Sequence, residues 1–206
     1  MNIFDRAINM GDKLTHYFIP EYLRGFTIID AGSNVGRFID KIRSMNITNH
    51  ISAIEPCLSN LTVLHQKKYD NVKIICGALV GYGVNKSVSF TEIEGLSEWG
   101  SVTDINTDRG LSKGRKNTRY EVDAIRLGDL VKEEIDYLKM DIEGNETDVI
   151  LTLSPELAVK IRQISVEIHN GDQLVLSRKM GELGYYTKWY DKDGELFGIR
   201  KEAIES

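Results

Sequence analysis

The chain has 206 residues, of which 41% are hydrophobic and 28% are charged, and its formal net charge at pH 7 is -5. This composition is typical of a globular domain with its own core and excludes a disordered or fibrous chain. The negative charge argues against a protein held on nucleic acid mainly by phosphate contacts. The two cysteines, Cys57 and Cys76, are too few for a disulfide framework.

Charged residues interrupt the apolar positions of the first residues, so this segment lacks the apolar centre of a signal peptide. The sequence also lacks an apolar run of the roughly 18 residues that span a bilayer. We therefore expect one cytoplasmic domain over residues 1–206, with no membrane span and a small-molecule partner rather than nucleic acid. The oligomeric state stays open.

Residues 1–24 carry apolar side chains at roughly helical spacing, interrupted by Gly11 and Pro20. This pattern predicts one or two short helices that form a lid on the main body. Strand and helix patterns then alternate. The strands are predicted in "FTIID", "HISAIEP" and "NVKIICGAL", and the helices between them in "GRFIDKIRSM" and "LSNLTVLHQKKY".

Residues 81–120 break this alternation. Apart from the strand pattern "KSVSFTEI", they are rich in glycine and polar residues and predict a loop-rich excursion from the sheet. The basic stretch "RGLSKGRKNTR" fits a solvated loop better than a phosphate site. Trp99 fits either a residue that stacks on a sugar or a simple loop anchor.

The alternation resumes with the strand "EIDYLKM", a helix through "ETDVILTL", the strand "KIRQISVEI" and the helix "QLVLSRKMGEL". The last two strand patterns, "YYTKWYD" and "ELFGIRK", are joined at Asp193-Gly194 and predict an antiparallel hairpin. The sequence therefore predicts an α/β fold. Its Rossmann-like sheet is mostly parallel, ends in a C-terminal antiparallel hairpin and has helices on both faces.

Ligands of such a sheet bind beyond the carboxyl ends of its strands, so the turn from Gly32 to Gly36 is expected to contact one. The dinucleotide pattern G-x-G-x-x-G fails when counted from Gly32, because Asn34 and Arg37 occupy the second and third glycine positions. Glu55 ends the next strand and suits the two hydroxyls of a ribose. The pattern favours adenosine attached to a small zwitterion.

The segments "IIDAGSNVGRF", "ISAIEP", "VKIICGAL" and "YLKMDIEGNETDVI" resemble the FkbM family of S-adenosylmethionine-dependent methyltransferases. The resemblance implies a class I methyltransferase fold, bound S-adenosylmethionine and methylation of a hydroxyl on a glycan or other natural product. It leaves the lid and the substrate open. The residues that it assigns to the cofactor are Asp30, Gly32, Ser33, Asn34, Val35, Gly36, Glu55, Pro56, Gly77, Ala78 and Asp141.

The strand pattern "ISVEIHN" places Glu167 and His169 on one face, next to the strand that leads to Asp141. With Glu143 they form a predicted catalytic group at the mouth of the sheet. We expect His169 to take the proton of the acceptor and Glu167 or Asp141 to orient it. Asp141 and Glu143 would position the substrate.

Two other interpretations of this group stay open. Asp141, Glu167 and His169 could bind a divalent metal such as magnesium or manganese. Glu143 and Glu146 could merely cap a helix. The remaining histidines have no evident partners in the sequence and are predicted to be structural or solvated: His16, His50 and His65.

Functions of other classes remain beside methyl transfer to a hydroxyl. A nicotinamide-dependent oxidoreductase would share the sheet, although the glycine register argues against it. A non-catalytic cofactor-binding module would keep Asp30 and Glu55 but has no need of Asp141, Glu167 and His169. A nucleic-acid methyltransferase is disfavoured because "DIEG" stands where an Asn/Asp-Pro-Pro-aromatic motif is expected.

Overall fold

A seven-stranded sheet forms the centre of the computed structural model, which describes residues 2–11, 14–83, 86–95, 100–102, 115–190, 192 and 194–205. In spatial order its strands are β11 (Tyr185–Tyr190), β12 (Glu195–Arg200), β10 (Ile161–Glu167), β9 (Ile135–Met140), β3 (Thr27–Ala31), β4 (Ile51–Glu55) and β5 (Val72–Cys76). β12 runs antiparallel to both of its neighbours, whereas the other pairs are parallel. The predicted mostly parallel sheet with its C-terminal antiparallel hairpin is confirmed.

Helices cover both faces of this sheet, as predicted. They are α1 (Arg37–Ser44), α2 (Leu58–Lys67), α3 (Leu127–Leu130), α4 (Glu146–Thr152), α5 (Pro155–Ala158), α6 (Gln173–Glu182) and α7 (Lys201–Glu205). Adjacent residues of β3 point to opposite faces: Ile28 packs with Ile39 of α1, and Ile29 packs with Val149 of α4. Within the described ranges, no helix is long and apolar enough to cross a membrane.

The N-terminal segment is a β-hairpin. The prediction of a helical lid over residues 1–24 is therefore wrong in its secondary structure. β1 (Ile8–Gly11) pairs antiparallel with β2 (Leu14–Phe18), and a single 3-10 turn lies on each side of the pair. Burial alternates along β2, since His16 and Phe18 are buried and Tyr17 between them is not, which is the period of a strand. The short apolar run fitted both periods, and packing on the sheet selects the strand.

Polar side chains of the sheet fix this hairpin on the face that also carries α1. Ser165 Oγ accepts a hydrogen bond from the amide of Tyr17 at 2.9 Å, and Gln163 Oε1 accepts one from Ile19 at 2.7 Å. Tyr137 donates its hydroxyl to the carbonyl of Tyr17 at 3.0 Å. The hairpin is thus joined to β9 and β10 through the backbone of β2 and not only through apolar contact.

A second sheet occupies part of the segment predicted as a loop-rich excursion. β7 (Ser87–Ile93) pairs antiparallel with β8 (Asn117–Ile125), and β8 pairs parallel with β6 (Ala78–Leu79). The strand predicted in "KSVSFTEI" is confirmed as β7, whereas the loop prediction for residues 81–120 is wrong where the start of β8 lies. Trp99 and most of the basic stretch lie outside the described residues.

A buried carboxylate on β9 organises the entry to the central strand β3. Asp136 is fully buried, and its Oδ2 accepts hydrogen bonds from the amides of Arg24, Gly25 and Phe26 at 2.8, 2.9 and 2.9 Å. The side chain of Asn49 donates to the same oxygen at 2.8 Å. This carboxylate therefore satisfies three backbone amides that would otherwise lose their partner on folding.

Replacing this carboxylate provides a test of the fold. We expect Asp136→Ala to lower the free energy of unfolding by about 3–5 kcal/mol, because it leaves buried amides unpaired. Asp70→Ala, at an exposed position, should change it by less than about 0.5 kcal/mol. Urea unfolding measures both values, and equal losses in the two variants would contradict the role of Asp136.

Candidate functional site

The turn after β3 lies against the end of β9. Gly32 has φ +74, and a Cβ added to it would lie 1.7 Å from the carbonyl oxygen of Asp141. The amide of Asp141 in turn donates to the carbonyl of Ala31 at 3.1 Å. Only glycine fits at this point, because the backbones of the two strand ends touch there.

A buried ion pair lies beneath the turn. Lys139 of β9 donates to the carbonyls of Ala31 and Gly32 at 3.2 and 2.7 Å, and its Nζ lies 3.3 Å from Oδ1 of Asp30. Burial lowers the pKa of Lys139, but attraction by Asp30 and Asp141 outweighs burial and leaves this pKa above its ordinary value. Asp30, predicted to bind the cofactor, is fully buried and supports the turn from below.

Glu55, at the end of β4, holds the other side of the turn. Its Oε2 accepts from the amide of Asn34 at 2.7 Å, and its Oε1 accepts from the amide of Cys57 at 2.9 Å and from Asn60 at 3.3 Å. Burial raises the pKa of the Glu55 carboxyl to about 7, against the lowering effect of these hydrogen bonds. A carboxylate has about four acceptor positions, so one is still available to a ligand.

A cleft opens beyond the ends of β3, β4 and β9. Seven residues predicted to bind the cofactor line it: Gly32, Asn34, Glu55, Pro56, Gly77, Ala78 and Asp141. The other predicted residues of the turn shape it from within. Ser33 donates its hydroxyl to the carbonyl of Asp30 at 2.7 Å, Val35 donates its amide to Oδ1 of Asn34 at 2.6 Å, and Gly36 is the N-cap of α1.

The sequence analysis missed several residues that line this cleft. Asn60 reaches it from α2, Phe90 from β7, which was predicted as a strand, and Val102 from the segment predicted as a loop. Polar Asn60 on the buried face of a helix was a usable signal, since buried polar groups need partners. No such signal marks Phe90 and Val102, because their place depends on the second sheet folding back over the cleft.

Three of the predicted catalytic residues meet beside Asp141. His169 lies between two carboxylates, with Nδ1 at 3.0 Å from Oε1 of Glu146 and Nε2 at 3.2 Å from Oε2 of Glu143. Glu167 is farther away, at 3.8 Å from Nε2. Glu143 itself has φ +56, and its carbonyl accepts a hydrogen bond from the hydroxyl of Ser101 at 2.6 Å.

Glu146 orients His169, whereas Glu167 or Asp141 was predicted to do so. It is fully buried, and it also accepts hydrogen bonds from the amides of Ile142 and Gly144 at 3.0 and 3.1 Å. The helix-cap interpretation of Glu146 therefore describes only part of its role. The signal that was available is the spacing "DIEGNE", which returns an acid to the strand end after one turn.

The arrangement also changes the role that His169 fits. Burial lowers its pKa, but the hydrogen bond to Glu146 and the charges of Glu146, Glu143 and Asp141 raise it to about 9. Both ring nitrogens already face carboxylates, so neither is available to take the proton of an acceptor hydroxyl. His169 is therefore better suited to positioning Glu143 than to acting as the predicted base.

His16 has a partner that the sequence did not reveal. The side chain is 1% exposed, and its Nδ1 lies 3.0 Å from Oε1 of Glu195, a fully buried residue of β12. A ring nitrogen of His16 also lies within 4.8 Å of carboxylate oxygens of Asp141 and Glu167. The prediction that His16 lacks a partner is wrong, because the contact joins positions 179 residues apart.

Two groups of side chains among the described residues have a spacing that a metal ion could use. One comprises Asp141, Glu143 and His169, and the other comprises His16, Asp141 and Glu167. Both share Asp141, and neither coincides with the predicted set Asp141, Glu167 and His169. The structure thus divides that set between two neighbouring positions.

This sheet order, a glycine turn after the central strand and an acid at the end of the next strand define a class I methyltransferase fold. The sequence matches the family described as the methyltransferase FkbM domain over residues 30–185. The chain belongs to the FkbM methyltransferase family. This result confirms the resemblance seen in "YLKMDIEGNETDVI" and its neighbouring segments.

Similar proteins bear on the fold and on the length of the chain. Methyltransferase FkbM from Methylobacillus flagellatus KT has a TM-score of 0.55 and 15% identity over 89% of this chain and 46% of that one. The fibrillarin pre-rRNA processing protein of Methanococcus jannaschii has a TM-score of 0.47 and 12% identity over 98% of this chain and 85% of that one.

A stretch of 70 residues is 33% identical to the AMB antimetabolite synthetase AmbE of Pseudomonas aeruginosa, which is 34% of this chain and 3% of that protein. The chain thus spans less than half the length of AmbE and of the FkbM structure.

The contact between Gly32 and Asp141 can be tested against a second glycine with a similar backbone. Gly184 has φ +89 but open space where an added Cβ would lie, so Gly184→Ala should cost only the left-handed backbone strain of about 1–2 kcal/mol. Gly32→Ala should cost clearly more, because it also forces β3 and β9 apart. Thermal unfolding of both variants measures the difference, and equal losses would argue against a tight contact.

Proposed function

We propose that this methyltransferase uses S-adenosylmethionine to methylate a hydroxyl group of a sugar, glycan or other natural product. The observation that carries the proposal is the charge of the cleft. Its described lining contains the carboxylates of Glu55, Asp141 and Glu143 and no lysine, arginine or histidine. Such a lining suits hydroxyl and ammonium donors and disfavours the diphosphate of a dinucleotide.

The residues present also fit the remaining parts of the cofactor. When bound, S-adenosylmethionine supplies a methyl group on a positively charged sulfur, which is transferred to the acceptor. Glu55 offers its remaining acceptor position to a ribose hydroxyl, and a second hydroxyl would replace Asn60, its longest contact at 3.3 Å. Ile54 and Phe90 provide apolar contact for a base in the same cleft.

Glu143 is the proposed proton acceptor. It lines the cleft beside Asp141, and its Oε2 is held by His169 at 3.2 Å. Glu146 fixes the other side of the imidazole at 3.0 Å, so the carboxylate of Glu143 is aimed by a buried side chain. His169 is then a positioning residue, and Asp141 and Glu167 contact the acceptor beside it.

The acceptor class rests on chemistry and on one relative. A carboxylate base suits a hydroxyl whose proton leaves as the new bond forms, and positioned bases typically contribute about 10²- to 10⁴-fold. The partial likeness to an antimetabolite synthetase supports a natural-product acceptor. The negative net charge of -5 supports a partner other than nucleic acid.

The raised pKa of Glu55 predicts how cofactor binding depends on pH. Hydroxyl donors bind the charged carboxylate better than the neutral carboxyl group. Because the pKa of Glu55 is about 7, most of this group is protonated in the free protein at pH 6. We therefore expect the dissociation constant of S-adenosylhomocysteine, measured by calorimetry, to be about tenfold higher at pH 6 than at pH 8.

The matched variants for this prediction are Glu55→Gln and Glu182→Gln. Glu55→Gln should bind with an affinity that no longer changes between the two pH values. The exposed Glu182, which pairs with Arg178 on the surface of α6, should leave the pH dependence intact when replaced. A wild-type affinity that is independent of pH would remove Glu55 from the cofactor site.

The function itself is tested with a panel of sugars, glycans and natural products incubated with S-adenosylmethionine. Mass spectrometry should detect the gain of one methyl group on at least one hydroxyl compound. Glu143→Gln should lower turnover by about 10²- to 10⁴-fold while it retains affinity for S-adenosylhomocysteine. Unchanged turnover in this variant would remove Glu143 as the proton acceptor.

A thermal-shift comparison separates the cofactor classes before an acceptor is known. S-adenosylhomocysteine at a hundred times its dissociation constant should add about 2.7 kcal/mol to the free energy of unfolding. NAD at the same concentration should add nothing, since the described lining of the cleft contains no basic group for its diphosphate. Stabilisation by NAD alone would overturn the proposed function.

A further inference from the structure

The N-terminal hairpin brings a buried histidine to the edge of the candidate site. His16 is 1% exposed, and Nδ1 is held by Glu195 at 3.0 Å, which leaves Nε2 as the nitrogen that can face a ligand. Glu195 is fully buried and is itself bound by the hydroxyl of Ser165. A carboxylate that binds the far nitrogen of a histidine is the usual support of a metal-ligating imidazole.

Two carboxylates complete the same corner. Oxygens of Asp141 and Glu167 and a nitrogen of His16 all lie within 4.8 Å of one another. Ligands of a six-coordinate magnesium or manganese ion lie about 3 to 4.2 Å apart, since each bond is about 2.1 Å long. Small side-chain movements would therefore close the three groups around one ion.

One carboxylate oxygen of Asp141 lacks a partner among the described residues. Oδ1 of Asp141 is shielded from solvent and accepts no hydrogen bond from the residues that the structure describes. A buried carboxylate oxygen without a donor is costly, and a bound cation would remove that cost. This observation is independent of the spacing of the three groups.

We propose that His16, Asp141 and Glu167 bind a divalent cation, magnesium or manganese. Carboxylates with one imidazole are a ligand set that suits these ions. The other corner, at Asp141, Glu143 and His169, has a different part in the proposed function, where Nε2 of His169 holds Glu143 as the proton acceptor.

The cation site deepens the proposed function and rests on it for its role. Three protein ligands leave coordination positions open, and these would hold two neighbouring oxygens of the acceptor, such as a pair of adjacent hydroxyls. His16 and Glu195 lie outside residues 30–185, which match the family. The cation would thus select acceptors through residues that this family segment does not contain.

Binding of Mn²⁺ to the full chain tests the site without any methyl donor. Protein freed of metal with EDTA is titrated with Mn²⁺, and the loss of the free-ion signal in electron paramagnetic resonance reports binding. We expect one ion per chain, and we expect His16→Ala and Glu167→Gln each to weaken binding at least about tenfold. Glu195→Gln should weaken it by about 10- to 100-fold through the orientation of His16.

His65→Ala, which removes an exposed histidine of α2, is the matched control and should keep the affinity of the wild type. Wild-type protein that binds no Mn²⁺ would overturn the proposal, as would full affinity in His16→Ala or a loss that only His169→Ala produces. If circular dichroism shows that His16→Ala does not fold, the Mn²⁺ affinity of Glu167→Gln decides the outcome, because the Glu167 side chain is 33% exposed. Methyl transfer that persists in EDTA would separate failure of the cation site from failure of the proposed function.

Discussion

The rest of the site depends on the contact between the ends of β3 and β9. Lys139 lies beneath this contact and donates to the carbonyls of Ala31 and Gly32 while it pairs with Asp30 at 3.3 Å. Removing one partner of such a buried pair typically costs about 3–5 kcal/mol. Because the pair fixes both strand ends, it sets where the glycine turn and Asp141 lie relative to each other.

The carboxylates that line the cleft are held in place in two ways. Glu55 is held by the amides of Asn34 and Cys57, and Asp141 lies against the turn at Gly32. Glu143 belongs to a chain of side chains that begins at the fully buried Glu146 and passes through His169. Fully partnered polar networks are rigid, so this chain of side chains can hold the carboxylate of Glu143 in place.

Local patterns in the sequence were sufficient for most of the fold. The alternation of strands and helices predicted the parallel sheet, and the glycine turn with Glu55 predicted residues that line the cleft. These features succeed because each depends on residues close together in the chain. The prediction for the N-terminal hairpin was wrong, because its apolar spacing fitted both a helix and a strand. The hydrogen bonds from the sheet to Tyr17 and Ile19 decide between the two.

The contacts of His16 and the group around His169 could be predicted only in part, for a related reason. Glu167 and His169 follow from strand alternation, but the pairing of His16 with Glu195 joins two segments near opposite ends of the chain. Lys139 did give a local signal, since it is a lone charge in the otherwise apolar strand "YLKM". Its partner Asp30 could be chosen only once the order of the strands was known.

The N-terminal hairpin affects how a shortened fragment of this protein would behave. A fragment cut to the boundaries of residues 30–185 would lack β2, β12, residues 27–29 of β3 and nearly all of β11, and the sheet face around Tyr137 would then be open to water. Such a fragment would still contain the glycine turn, Glu55 and Asp141. Its poor solubility would report the loss of this part of the core, and its inactivity would not by itself argue against Glu55 or Asp141.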